Sequence, residues 1–355
     1  MSTSLEPDDV AAPPPGLDLW AGCAALRPPL ERRLHEAVDD LCHPLDGPLG
    51  RIVFAPGKRL RPALTLAFAT HLTAGAPTLD QRSRALDLAV SVELLHSATL
   101  VHDDLIDAAS TRRAAPTVNA ADGTAAAVVG GDSLIAAAFV TAASGGRHCT
   151  SLLVDTLLEL CHGEAMQNSL RFDADAAADV VLDVARSKTG SLMRAACEFG
   201  AYAAGADVDV CVHAGRFGEQ FGLVLQLVDD LLDIVSTPAL AGKPVGVDFT
   251  SGVITPPAVA AMDLHPELRA LLVRNPDDLA RARSTALLRS ADAVRAGVQL
   301  AFEHARDARD TLAPVCRSHP GTQELALAPE RYVWHQLTTR VDPALAQLLP
   351  DRRAS

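Results

Sequence analysis

From Leu17 onward, apolar residues recur every three or four positions almost without a break, the period of helices that bury one face. The pattern predicts helices over 26–42, 60–73, 80–107, 125–143, 150–170, 176–203, 208–236 and 279–313. Most joins carry glycine or proline: Gly47-Pro48, Pro56-Gly57, Gly75–Pro77, Gly145-Gly146, Gly205 and Lys243-Pro244. These residues stop helices because glycine is conformationally too free and proline has no amide hydrogen to donate. Runs that alternate apolar and polar residues, as strands would, are absent. No 20–50-residue repeat is visible. The expectation is an all-α domain over 17–350 with no internal break. It follows a polar, proline-rich tail over 1–16 that should be disordered.

With 48% hydrophobic residues, 355 positions suffice for a large core. Acidic residues number 44 against 31 Lys and Arg, a formal charge of −13 that argues against a nucleic-acid partner. No apolar run reaches the roughly 18 residues a membrane span needs, so no transmembrane segment is expected. The acidic N-terminus does not read as a signal sequence. The seven cysteines show no metal-binding spacing, and an odd number does not suggest a disulfide framework. Free thiols in a reducing cytoplasm are the expectation.

Candidate chemistry concentrates in Glu93–Arg113, ELLHSATLVHDDLIDAASTRR. Asp103, Asp104 and Asp107 form a DDxxD cluster, with His96 upstream and Arg112 and Arg113 just downstream. On a helix, Glu93, His96, Asp103 and Asp107 share one stripe. Leu94, Leu95, Leu100, Leu105 and Ile106 fill most other faces, so this helix should be largely buried. Carboxylates crowded into one buried turn are unfavourable unless cations sit among them. Hard Mg²⁺, bound by a few carboxylates and by substrate phosphates, is the cation that suits them. The arginines suit phosphate through the planar fork of the guanidinium. One such cluster could equally be a solvated acidic face. A second, Asp229, Asp230 and Asp233 in the apolar stretch LQLVDDLLDIV, argues for one shared site. Gly57–Pro62, reading GKRLRP, adds three cations at a loop-to-helix join, a suitable place for a further phosphate.

GKRLRP, then ELLHSATLVHDDLIDAASTRR, then LQLVDDLLD followed by GKPVGVD, resembles the trans-polyprenyl diphosphate synthases in motif order and spacing. GDSLIAAAF (131–139) and GEAMQ (163–167) resemble the same family, the latter its longer-chain members. The matches run from about residue 57 to 255. The resemblance implies a single-domain bundle of long helices around a central cavity, usually a homodimer, with a heteromer as the other arrangement. It implies head-to-tail condensation of isopentenyl diphosphate with an allylic diphosphate. Loss of pyrophosphate leaves an allylic cation, the isopentenyl double bond attacks it, and a proton is lost. Water must be kept out, because it would capture the cation.

Carried over by position, Asp103, Asp107 and Asp229 are the implied ligands of Mg²⁺, three ions together with the substrate diphosphate. Asp104, Asp230 and Asp233 complete the catalytic clusters, together with Lys188. Lys58, Arg61, His96 and Arg113 match the isopentenyl diphosphate pocket. Arg112, Lys188, Thr189, Gln226 and Lys243 match contacts to the allylic substrate. Taken singly, His96 and Gln226 could be satisfied core groups, and Lys188 an ordinary surface lysine. Glu164 and Gln167, one turn apart, could simply pair with a neighbour. The ordered set favours the site.

Val253 stands where the family has a lysine that helps hold the allylic diphosphate. Ala114 replaces a usual glycine, and Leu225 a usual phenylalanine. Beyond about residue 260, including ERYVWHQL (330–337), the resemblance fades. In the family, bulky aromatics four or five positions before the first cluster stop the product at farnesyl length. Here those positions are Thr99 and Ala98, with Leu95 and Val92 deeper, so geranylgeranyl or longer is expected, and Phe139 is one candidate floor. Two other readings remain: an enzyme that ionises an allylic diphosphate and cyclises or hydrolyses it, and a regulatory subunit of a heteromeric synthase.

Overall fold

The computed structural model describes residues 18–20, 22–112, 115–241 and 245–349. The tail expected over 1–16 lies outside these residues. In chain order the helices are α1 (Arg27–Leu41), α2 (Asp46–Val53), α3 (Leu60–Leu72), α4 (Leu79–Ile106), α5 (Val118–Asp122), α6 (Thr124–Ala142), α7 (Gly146–Ser169), α8 (Ala178–Ala185), α9 (Ser191–Ala204) and α10 (Val208–Val235). They continue with α11 (Pro238–Ala241), α12 (Val247–Thr250), α13 (Pro256–Leu264), α14 (Glu267–Leu271), α15 (Asp278–Leu288), α16 (Ala291–Ser318), α17 (Gln323–Ala326) and α18 (Ala328–Arg340). The all-α expectation holds. Among the described residues the strands are a two-residue antiparallel pair, β1 (Thr111–Arg112) and β2 (Ala115–Pro116).

Two 28-residue helices, α4 and α10, carry the two aspartate clusters at their C-terminal ends. Each starts on a defined cap. Thr78 Oγ1 accepts from the Gln81 amide (3.1 Å) while the Gln81 side chain accepts from the Thr78 amide (3.0 Å), a reciprocal box that satisfies two otherwise orphan donors. Asp207 accepts from the Val210 amide at 2.9 Å. Helix α4 packs among α3, α6 and α9, and α10 among α9, α16 and α18. Their shared core is closed by Phe68, Phe199, Phe217 and Phe221, all fully buried. Phe68 meets Phe217 edge-on at 5.7 Å, and Phe221 meets Tyr332 of α18 at 6.1 Å, offset geometries that aromatic rings prefer. The ERYVWHQL stretch is therefore a core-closing helix. A second apolar cluster, including Phe249, Ile254, Met262 and Leu268, lies under α13–α15.

The structure departs from the sequence pattern at four places. The single helix expected over 176–203 is α8, a π-helical turn at Arg186–Gly190, and α9. The helix expected over 279–313 breaks at Ser290, whose backbone is extended (φ −62°, ψ 153°) and whose hydroxyl lies 2.8 Å from His265 Nε2. Gly47-Pro48, read as a break, sits in the first turn of α2, where a proline removes no intrahelical bond. Finally, Thr124–Ser169 is long and apolar enough to cross a membrane by length and composition, with a mean hydropathy of 1.7 over its most apolar window. One such stretch is weak evidence for a span, because a core helix of a folded domain passes the same test. The inner face of α6, a row of small residues through Gly130, Gly131, Leu134, Ala137 and Ala138, packs on α4. Val128, Val129 and Val140 face outward and exposed.

The π turn is tolerated because its neighbours have no side chain there. A Cβ at Gly163 of α7 would stand 2.8 Å from Ser187 Cβ and 3.0 Å from the Lys188 nitrogen. One at Gly222 of α10 would stand 2.7 Å from Gly190 Cα and 2.8 Å from the Thr189 carbonyl oxygen. The atoms at Gly222 are backbone, and Ser187 Cβ is fixed to backbone, so none can rotate away. Gly222→Ala is expected to lower stability by about 1–3 kcal/mol, the usual effect of overpacking. Urea unfolding of the two proteins measures it; an unchanged midpoint would mean that α10 moves off the turn freely.

Candidate active site

Helix α4 ends one residue before Asp107, which caps it, its amide donating to the Asp103 carbonyl at 2.8 Å. The three carboxylates of the first cluster therefore have three environments. Asp107 is exposed, Asp103 half-buried and Asp104 buried. Burial pushes Asp103 up to about 6; Lys188 and Arg112 oppose the shift, and Glu164 and Asp107 add to it. Asp104 turns away from the cavity and accepts from Arg112 Nε at 2.8 Å, while its Oδ2 is buried without a hydrogen-bond partner. Its carboxyl is also raised by burial, against the pull of Arg112. Asp104 thus positions Arg112, which the two-residue strand pair holds beside α4.

The second cluster is divided in the same way. Asp229 is exposed, and Asp230 and Asp233 are buried. Asp230 accepts from Gln226 Nε2 (2.8 Å), and Gln226 Oε1 accepts from Thr189 Oγ1 (2.8 Å), a relay from α10 to the π turn. Burial raises the Asp230 carboxyl well above the usual carboxylate range, and Asp248 and Asp229 raise it further. Asp233 faces the loop beyond α10: its Oδ2 accepts from the Asp248 amide at 3.2 Å and its carbonyl from the Gly246 amide at 2.8 Å.

Between the two helix ends lies a polar cavity of about 440 Å³. Asp107, Lys188, Gln226, Asp230, Asp248 and Val253 line it, so both clusters and the π turn contribute to one site. A second cavity of about 380 Å³ adjoins it at Lys188 and is walled by Asp103, Thr99, Ile106, Ile135, Leu157 and Leu160. One space is rich in carboxylates and cations; the other is mostly apolar. Lys188 stands between them, its Nζ 2.5 Å from Glu164 Oε2 and donating to Gln167 Oε1 at 3.1 Å. Glu164 and Gln167 therefore do pair with a neighbour, and that neighbour lines both cavities.

The GKRLRP stretch is split by its backbone. Arg59 adopts left-handed φ (50°), an uncommon conformation for a residue with a side chain. Its guanidinium turns into the protein, donating to Glu93 Oε1 at 2.7 Å and to Glu31 at 3.3 Å. Glu93 is thereby neutralised within the core and is not a free member of the acidic stripe. Lys58 remains exposed on the loop, and its carbonyl accepts from Trp20 Nε1 at 3.2 Å. Arg61, in the first turn of α3, is half-buried with Nε unpartnered. Burial lowers its pKa, while Glu93 and Asp229 draw it back up. His96 follows one turn after Glu93 on α4, half-buried. Arg113 and Lys243 lie outside the described residues, as does Ala114.

Sequence reasoning missed Arg171 and Asp248 as cavity-lining residues. Arg171 lies beyond the end of α7, where helical periodicity carries no signal. Its position four residues after Gln167 was the available hint.

Among the described residues, no three His, Cys, Asp or Glu side chains are grouped closely enough to cage a metal ion. The donor set nonetheless fits magnesium, which takes one or two carboxylates and completes its shell with water and substrate phosphate. Asp107 at the wall of one cavity and Asp103 at the wall of the other offer the hard oxygen donors that such an ion takes.

A family model described as Polyprenyl synthetase matches residues 43–287, well over half of the chain. A prenyl transferase of Synechocystis sp. is 36% identical over 292 residues, covering 80% of this chain and 88% of the relative. The mitochondrial solanesyl-diphosphate synthase 1 of rice is 34% identical, covering 72% of this chain and 63% of its own length. The crystal structure of a decaprenyl diphosphate synthase from Rhodobacter capsulatus superimposes with a TM-score of 0.79 at 29% identity, covering 90% of this chain and 98% of that one.

Proposed function

Because this chain belongs to the polyprenyl synthetase family, we propose that its two cavities divide one reaction between them. The chain is a prenyltransferase. We read its reaction as condensation of isopentenyl diphosphate with an allylic diphosphate to give a trans-polyprenyl diphosphate of geranylgeranyl length or longer. The observation that carries this reading is the junction at Lys188 of a carboxylate- and cation-lined cavity with a largely apolar one.

In this reading, Arg112, Lys188, Thr189, Gln226 and Lys243 hold the allylic diphosphate at the polar end, and its hydrocarbon runs past Thr99, Ile135 and Leu157. Lys58, Arg61, His96 and Arg113 hold isopentenyl diphosphate near the start of α3. Magnesium, used by this family, would be held by Asp103, Asp107 and Asp229, as three ions with the diphosphate, and would neutralise the departing pyrophosphate. Asp104 acts through Arg112, and Asp230 through Gln226, each fixing a side chain that reaches the substrate. Asp233 acts further back, holding the loop of Gly246 and Asp248. The apolar wall keeps water from the allylic cation until the isopentenyl double bond attacks it.

Product length follows from which α4 residue faces the apolar cavity. Thr99 lines it, whereas Ala98 is fully buried in the core. The small hydroxyl leaves the space open. Phe139, one turn beyond Ile135 on α6 and packed against the core, supports a floor at greater depth.

The outward face of α6 and α7 supports a homodimer. Val129, Val140 and Leu158 are 54, 60 and 52% exposed, large apolar side chains that a covering partner would remove from water. The seven unpaired cysteines fit a reducing compartment such as the cytoplasm.

Four experiments test these points. Purified protein with Mg²⁺ and farnesyl or geranylgeranyl diphosphate should add five-carbon units only when isopentenyl diphosphate is present, as read by mass spectrometry before and after dephosphorylation. Hydrocarbon or alcohol formed without isopentenyl diphosphate would favour the cyclising or hydrolysing reading instead. Asp103→Ala and Asp229→Ala should each lower turnover by about 10²-fold or more, the scale for losing charge stabilisation of a reacting group; near-normal rates in both would detach the clusters from the chemistry. Thr99→Phe should shorten the product, and an unchanged chain length would put the limit on another wall. Val140→Asp with Leu158→Asp should give a monomer by light scattering, and a persistent dimer would move the interface off this face.

A further inference from the structure

We infer that Arg171 is a binding residue for the diphosphate of the allylic substrate, supplying from the end of α7 the positive charge that Val253 lacks. The inference rests on the reaction read above, and three observations converge on it.

First, Arg171 and Val253 line the same polar cavity, together with Asp107, Lys188, Gln226 and Asp230. Lys188, the other cation along that wall, is already paired with Glu164. Among the described residues Arg171 makes no ion pair with a carboxylate, and its Nε is shielded from solvent without an acceptor. A desolvated guanidinium donor facing a cavity is unfavourable until an oxygen arrives. A phosphate oxygen is the acceptor that matches its planar fork.

Second, the chain fixes Arg171 against the loop that carries Val253. The Phe172 amide donates to the Gly252 carbonyl at 2.9 Å, so Arg171 and Val253 each stand one residue from a shared hydrogen bond. Phe172 holds left-handed φ (63°), and Gly252, at φ 81°, leaves room for its ring: a Cβ there would come within 2.4 Å of it. The Arg274 guanidinium covers the same ring at 4.6 Å. An uncommon backbone conformation held by this many contacts marks a position whose neighbour is being aimed.

Third, the loop itself offers no cation. Val253 is apolar, and its amide is taken up by the Asp248 carbonyl at 2.9 Å. Asp107 and Asp248 add negative charge to the same walls. A diphosphate entering beside them requires a positive group on the side where the loop would otherwise supply one. Arg171 is that group.

The test compares Arg171→Met, Arg171→Lys and the double variant Arg171→Met/Val253→Lys, each checked for native helicity and melting temperature. Arg171→Met is expected to raise the KM for farnesyl diphosphate about 10- to 100-fold, the range for a lost charge-assisted bond, with the KM for isopentenyl diphosphate little changed. Arg171→Lys should lie between, and Val253→Lys in the double variant should restore most of the loss. Calorimetric titration with inorganic pyrophosphate and Mg²⁺, which needs no turnover, should show the same order of Kd. An unaltered Kd and KM in Arg171→Met would overturn the inference, as would equal increases for both substrates or a double variant no better than the single one. The underlying reading fails separately. Wild-type protein that adds no five-carbon units, yet loses pyrophosphate affinity in Arg171→Met, would refute elongation and leave the anion site standing. Chain growth with an unaffected Arg171→Met would refute Arg171 alone.

Discussion

Holding carboxylates where water is scarce is the constraint that the rest of this molecule answers to. Burial is the largest cause that raises Asp103 to about 6 and Asp230 well above the usual range, and neighbouring carboxylates add to both. Two of the buried acids are met by a partner from another element, Glu93 by Arg59 at the start of α3 and Asp104 by Arg112 of the strand pair, and Asp230 is met by Gln226 one turn back on α10. Such pairs seldom add much net stability, since desolvation offsets most of the attraction. Removing one partner is far more damaging than removing both, because a lone buried charge remains. Their effect is therefore to fix where the helix ends sit relative to one another.

The long helices supply the stiffness this arrangement needs. A DDxxD cluster at a helix C-terminus sends its first and last carboxylates to one side and its second to another. Asp103 and Asp107 thus share the cavity side while Asp104 turns back to Arg112. The π turn then brings Lys188 and Thr189 between α7 and α10, at a spacing that only Gly163 and Gly222 permit. Functional residues carried on an interrupted helix keep the rigidity of the helix while pointing where a regular turn would not send them.

The course of the main helices was legible in the chain because their apolar period runs for many turns, and α4 and α10 end within a residue of expectation. The stripe joining Asp103 to Asp107 was legible for the same reason. The roles of Arg59 and Glu93 were not: a left-handed residue in GKRLRP follows from a partner 34 positions away, which no local pattern encodes. The π turn was hidden because one inserted residue barely disturbs the apolar period of 176–203. Arg171 was hidden because it lies past a helix end, where position depends on the loop at Gly252. The break at Ser290 escaped notice because serine disrupts a helical pattern less visibly than glycine or proline, and its extended backbone is held by His265.

The contact between Lys188 and Glu164 has a consequence for what the cavity will accept. A cation already satisfied by a carboxylate does not attract anions at long range as a bare one would, since from a distance the pair is a dipole. An incoming anion must win Lys188 away from Glu164, and a single weak phosphate contact gives little reason for the exchange. A ligand that engages several groups at once can displace Glu164, because its other contacts make up for the broken pair. A cavity whose cation is held in this way selects ligands by how many of their charges fit together rather than by charge alone.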